Sequence, residues 1–260
     1  LTPEAEAAPD PASAEEGLRI ARLVAERPEG VTVSRTIEMV LTNQRGTVKT
    51  REAWVLKTSD EKLRKTRIIY TAPKAVRDTS FLSHDHLNPN ATDNRWLFIP
   101  AVRKVRRIPA SNRGDYFLGT DFTYEDIQSE LKFELSDYDF EHAGSESHDE
   151  TLLHHIKGQP KSEQLVHQLG YGRFEAWVDA SNWMPRRIEF SDPKLEPLKI
   201  VEVETVEEID GIWTATDIVA THQQTGHSTR FTYRDIDYTV DFSAGVFEPS
   251  KIDRRPKMNT

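Results

Sequence analysis

Residues 96–127 read WLFIPAVRKVRRIPASNRGDYFLGTDFTYEDI: an apolar start, a strongly basic middle, a proline, and an aromatic finish set among acids. Side chains alternate along an extended strand. If 96–108 is one strand, Trp96, Phe98, Pro100 and Val102 share one face and Leu97, Ile99, Ala101 and Val105 the other. Its first half is then apolar on both faces, which marks a strand inside a sheet and not at its edge. Beyond Val102, Arg103, Lys104, Arg106 and Arg107 emerge on both faces, and Pro109 ends the ladder because it has no N–H to give. The turn FLGTDFTYEDI then offers Asp121, Tyr124, Glu125 and Asp126 within reach of folding back.

Period-two patterning extends outward from this stretch in both directions. Upstream, Val31, Val33, Ile37, Met39 and Leu41 alternate with polar residues, NQRG makes a turn, and Val48, Trp54 and Leu56 resume on a second strand. KTRIIYTAP and TSFLS follow at short intervals. Downstream come ETLLHHIKGQ, YGRFEAWVDA, MPRRIEFSD, LKIVEVETVEEI, GIWTATDIVATHQ and STRFTYRDIDYTV. Roughly ten strands with hairpin spacing predict a mostly β protein, a large antiparallel sheet closed into a barrel or curved into a half-barrel. SDYDFEHAGSESHDE, residues 136–150, shows no period and is expected to be a long exposed loop.

The other end of the chain differs. Residues 1–12 carry Ala, Pro and Glu with little to bury and predict a flexible leader, as in an exported chain freed of its signal peptide. Ser13 and Glu16 have the spacing of a capping box, and Leu18, Ile20, Ala21, Leu23 and Val24 follow at helical spacing until Pro28 and Gly30. Residues 13–260 are expected to form a single domain, since a chain of 260 residues buries about three-quarters of its unfolded surface in one core.

Composition excludes several functions. A net charge of −9 argues against a nucleic-acid binder. The absence of cysteine removes disulfides, thiolate catalysis and cysteine metal sites. No apolar run approaches the roughly 20 residues of a membrane-spanning helix. His84-Asp85-His86 and the group His142, His148, His154 and His155 lack a nameable set of metal ligands and are expected to be solvated loop histidines. No nucleophile elbow, P-loop or H-E-x-x-H motif is present, so a non-enzymatic role without a cofactor is expected.

The order W-x-x-x-P-A-x-R-x-x-R-R-I, a serine-and-arginine turn and F-x-G-T-D-F-T-Y-E-D resembles the signature of the outer-membrane lipoprotein-sorting-like family, periplasmic relatives of the lipoprotein carrier LolA. The helix ending in R-P-x-G, the G-x-V-K-x-R hairpin, the S-F-L stretch, W-V-D-x-x-x-W-M-P-R-R-I-E-F and G-I-W-T-A-T extend the resemblance from about Gly17 to Phe247. Where the family often has Gly-Thr before the S-F-L stretch, this chain has Arg77 and Asp78. The resemblance implies a half-open antiparallel barrel with helices over its mouth, export to the periplasm, and transfer of a lipid or acylated protein between membranes. A resistance-nodulation-division (RND) type transporter of the inner membrane is the implied partner.

Two sets of residues are candidates for such work. Trp54, Leu56, Trp96, Phe98, Trp177 and Trp213 would line an apolar cavity, or would simply be core. Arg103, Lys104, Arg106, Arg107 and Arg113 would form a patch for anionic lipid or a partner. In the other reading of the same residues, Arg106 or Arg107 pairs with Asp121, Glu125 or Asp126 as a latch beside the ligand mouth. The competing function is an envelope interaction module with a filled core that uses the 103–113 patch. In a carrier, the N-terminal helix is a candidate lid.

Overall fold

The structure, a computed structural model, describes residues 10–256 apart from 89, 149 and 150. Most of the expected leader therefore lies outside the described residues. Helix α1 runs Pro11–Ala25, two residues earlier than expected, because Pro11 sits where a helix tolerates a missing N–H. The capping box does not form: Ser13 Oγ donates to the His142 carbonyl at 2.9 Å, and Glu16 is held by Arg19.

Thirteen strands follow: β1 (Thr32–Thr42), β2 (Val48–Ser59), β3 (Leu63–Ala72), β4 (Ser80–His86), β5 (Asn94–Ile99), β6 (Lys104–Ile108), β7 (Tyr138–His148), β8 (Thr151–Pro160), β9 (Arg173–Asp179), β10 (Pro185–Ser191), β11 (Pro197–Ile209), β12 (Ile212–His222) and β13 (Ser228–Asp237). Short helices α2 (Tyr124–Ser129) and α3 (Glu163–Leu169) interrupt them. All strands join one antiparallel sheet in the order β6-β5-β4-β3-β2-β1-β13-β12-β11-β10-β9-β8-β7. The fold is a mostly β, strongly curved open sheet, the half-barrel of the two forms that the patterning left open.

This order has a topological consequence. Both edges, β6 and β7, fall mid-chain, so residues 109–137 must carry the chain from one edge to the other. They do so over the concave face: Phe117, Phe122, Tyr124, Ile127 and Phe133 from this crossing pack into the same core as Met39, Ile68, Ile188 and Phe231 from the sheet.

Two sequence expectations are corrected here. Residues 96–108 are not one strand. Pro100–Val102 form a 3-10 turn, Arg103 takes a left-handed conformation at φ 49°, and the chain folds back so that Val105 pairs with Phe98. β5 is interior, as its apolar character implies, while the basic half is the edge strand β6. The expected loop at 136–150 contains strand β7. Being an edge strand, it buries only its first residues, and a bulge between His142 and Gly144, with Gly144 at φ 124°, breaks the alternation.

The convex face is partly covered too. Residues following β13 lay Phe242, Val246 and Phe247 over Leu56 and Ile69. Arg67, 1% exposed, fastens this strap by donating to the carbonyls of Val246 (2.7 Å), Ile252 (3.1 Å) and Arg254 (2.5 Å). His84 Nε2 meets the Phe247 carbonyl at 2.8 Å. At the start of β4, Asp78 stands at φ 67° and donates its N–H to the Tyr70 carbonyl. Asp78 therefore adopts the left-handed backbone that glycine would suit.

A cavity under the crossing segment

Between sheet and crossing the concave face holds a cavity of about 110 Å³ that opens to solvent at its mouth. Its floor is built from alternate residues of neighbouring strands, among them Ile37, Val55, Ile68, Val201, Ile218 and Phe231. One row is in register across the sheet, Val55 opposite Ile68 and Ile68 opposite Phe81. Phe133 stacks on Phe174 at 4.8 Å and Phe122 on Phe231 at 4.0 Å, so aromatic rings from the crossing close the cavity from above.

Asp121, Glu125 and Asp126 are each committed to fixing the crossing in place. Glu125 accepts two bonds of 2.7 Å from Arg113, whose remaining nitrogen lies 2.7 Å from Asp137. Asp126 caps α2 reciprocally with Thr123 and takes Lys199 of β11. Asp121 receives the Thr229 hydroxyl of β13 at 2.7 Å and contacts His227 Nδ1 at 2.6 Å. Tyr124 is buried 5.5 Å from the Phe81 ring and 5.6 Å from Phe117. Gly114 lies where a Cβ would come within 2.3 Å of the Leu169 carbonyl, so only glycine lets the crossing pass α3 this closely.

A latch thus exists, with a different cation from the two expected. Arg106 and Arg107 stand on the exposed edge strand, away from Asp121, Glu125 and Asp126, and Arg107 donates to Asn94 instead. Arg103, Lys104 and Arg106 form no ion pair among the described residues. Arg113, grouped in the sequence with the basic patch, leaves it to serve the latch.

The aromatic set is also redistributed. Trp213 lines the cavity and is 39% exposed near its mouth, and none of the other five nominated residues lines it. Leu56 belongs to the cluster beneath the C-terminal strap, and the Arg255 guanidinium lies 5.7 Å from the Trp54 ring on the same side. Trp96 meets His84 edge-on at 5.0 Å, with Phe98 on the same strand face, and Trp177 stacks on His155 at 4.5 Å. The reason is one of parity. Ala53, Val55, Leu97, Ala176 and Val178 join the main core, which turns the intervening aromatics outward.

The histidines expected in loops sit largely on strands: His84 and His86 on β4, His142 and His148 on β7, His154 and His155 on β8. Among the described residues no group of three or more His, Asp or Glu is placed to hold a metal.

Polar residues missing from the sequence reading crowd the mouth. Arg27, Glu29, Arg35, Glu130 and Lys132 all line the cavity. Glu130 takes Arg35 and, at 2.9 Å, Lys57. Burial works to raise the Glu130 carboxyl, but the pull of Arg35 and Lys57 prevails and brings it down to about 2. Parity could have revealed Arg35, which shares its strand face with Val33 and Ile37.

The strongly curved open sheet, with its two edges bridged across an apolar cavity, is a LolA-like fold. A family model described as "Uncharacterized protein" matches residues 62–254, and the chain belongs to that family. It is similar to an outer membrane lipoprotein-sorting protein domain from Vibrio parahaemolyticus, with 29% identity over 93% of this chain and 100% of that one, at a TM-score of 0.83. A DUF1329 family protein from Desulfovibrio piger matches at 24% identity over 92% and 99% of the two chains, TM-score 0.83. A LolA superfamily protein from Nitrosomonas europaea shares the fold at 18% identity over 92% and 98%, TM-score 0.66. No curated protein matches the chain.

Proposed function

We propose that this protein is a periplasmic carrier that takes a lipid, or the acyl chains of a lipoprotein, into the concave cavity and moves it between the inner and outer membranes. The observation that carries this reading is the apolar floor beneath the crossing. A filled core would leave no such space, and ligand sites are concave, mostly apolar and provided with a few polar groups. No helix among the described residues is long and apolar enough to cross a membrane.

Binding would be passive. Each buried methylene contributes about 0.8 kcal/mol, so a long chain could be held too tightly to release unless protein side chains compete for the same surface. Leu131 and Phe133 of the crossing are such competitors, since both line the cavity. The exposed basic hairpin, with Arg103, Lys104, Arg106 and Arg107, would meet the partner that loads or unloads the cargo, an RND-type exporter being one candidate.

Native mass spectrometry of protein recovered gently from its host periplasm tests the reading. A bound lipid or acylated peptide that is lost in Ile218→Trp, which fills the floor, supports it. A clean apo mass that persists after incubation with host lipid extract overturns it. Arg103→Glu/Lys104→Glu should leave the bound lipid unchanged while weakening partner capture, in a salt-dependent manner.

A further inference from the structure

The charges at the mouth do not balance. Arg27, Arg35, Lys57 and Lys132 converge on two carboxylates, Glu29 and Glu130, while Arg64 is shared between Glu29 and the buried Asp85. Two positive charges are therefore in excess, and the cations are not on the surface: Arg27, Arg35 and Lys57 are each less than a tenth exposed. Among the described residues Arg27 has no carboxylate in direct contact and is held by carbonyls, Trp183 at 3.0 Å and Glu130 at 3.5 Å. Lys132 Nζ spends one bond on the Arg27 carbonyl at 2.7 Å and lies 3.4 Å from Glu29. Burying cations beyond the available counter-charge is costly, and proteins ordinarily avoid it.

Two further polar atoms point the same way. Arg35 Nε and Thr66 Oγ1 are buried without a hydrogen-bond partner, and both residues line the cavity. Thr66 lies opposite Lys57 in the sheet, two residues along the strands from the apolar pair Val55 and Ile68 and so on the same face. Spare donors and surplus positive charge thus adjoin the apolar floor at one end.

We propose that this end of the cavity binds the anionic headgroup, phosphate or carboxylate, of an amphiphile whose hydrocarbon lies along the floor. The inference rests on the carrier reading and adds the charge class of its cargo. An anion here would neutralise part of the excess and take up donors that the fold leaves idle, giving charge-assisted bonds in a dry setting. A neutral amphiphile with the same chain would gain the floor alone.

The test compares three probes with one oleoyl chain each: oleate, lysophosphatidylglycerol and the uncharged monoolein. The wild-type protein should bind each anionic probe at least about tenfold more tightly than monoolein, about 1.4 kcal/mol. In Arg27→Gln/Lys132→Gln that preference should collapse while monoolein affinity stays. Glu29→Gln, which enlarges the positive excess, should strengthen anionic binding. If the cluster only ties crossing to sheet, Glu29→Gln would weaken all three probes alike, and the inference fails even should the double variant prove unstable. Equal binding of all three by the wild type leaves the carrier reading intact and overturns the headgroup site. Binding of none overturns both. Preference for only one anionic probe supports the site and identifies its source as carboxylate or phosphate.

Discussion

Arg113 grips Glu125 through two parallel bonds of 2.7 Å, and its third nitrogen reaches Asp137 at the same distance. The pair joins the start of the crossing to its own helix and to the approach of β7. Both side chains are largely buried, so the flat fork of arginine cannot be replaced by the point charge of lysine without leaving acceptors unmet. Arg113→Lys should lower the free energy of unfolding by about 2–3 kcal/mol in urea titration. Arg106→Gln and Arg107→Gln, on the exposed edge, should each change it by less than about 0.5 kcal/mol.

Asp85 is nearly fully buried on the concave side of β4, where only Ser83 donates to it, at 3.1 Å. Burial, aided by the nearby Asp93 and opposed by Arg95 and Arg64, pushes its carboxyl up to about 7. The fold thus favours the protonated acid. Its stabilisation is complete below about pH 4 and is lost as pH rises through about 7, a difference of roughly 4 kcal/mol at most. Asp85→Asn should match the parent at pH 4 and exceed it in stability at pH 8. Parallel stability curves for the two proteins from pH 4 to 8 would mean that Asp85 is ionised in the fold at neutrality.

The Arg67 guanidinium supplies most of the hydrogen bonds that hold the C-terminal strap, beside the one from His84. Arg67→Met keeps the unbranched apolar stem but removes every donor to the Val246, Ile252 and Arg254 carbonyls. Residues after β13 should then be trimmed by protease at least about tenfold faster, and dye binding to Leu56 and Ile69 should rise. The concave cavity, on the other side of the sheet, should keep its ligand.

Gly17 lets α1 pass close to β7: a Cβ there would stand 2.6 Å from the Glu141 backbone. Backbone cannot yield as a side-chain tip can. Gly17→Ala should cost about 1–3 kcal/mol despite the better helix propensity of alanine, and should increase dye binding by loosening α1. Deleting residues up to Gly30 should produce the same exposure in larger measure, and an unchanged dye signal would remove α1 as a cover.

Alternation of apolar and polar residues made the sheet legible, because period two is a local property that each strand displays by itself. Which face turns inward is not local. Trp54 and Val55 are equally good core residues, and only the docking of the crossing on one side and the strap on the other separates them. The edge strands escaped for related reasons: β6 is hidden by its charges and β7 by a bulge and a solvated outer half. The latch was legible as a chemical need, an arginine for buried acids, but choosing Arg113 over Arg106 required knowing that Pro100–Val102 reverses the chain. The mouth cluster went unread because Glu29, Lys57 and Glu130 meet only through folding.

The order of strands also shapes how the protein must assemble. β1 to β6 form one meander of neighbouring hairpins and β7 to β13 another, each able to zip up from local turns. Their seam pairs Thr42 with Ser228 and Ser34 with Asp237, near opposite ends of the chain. Closing so long a loop is the slow, entropically unfavourable event. Until the last strand arrives, β1 presents an unpaired edge, so a chain cut short before β13 should be aggregation-prone even with every earlier hairpin intact.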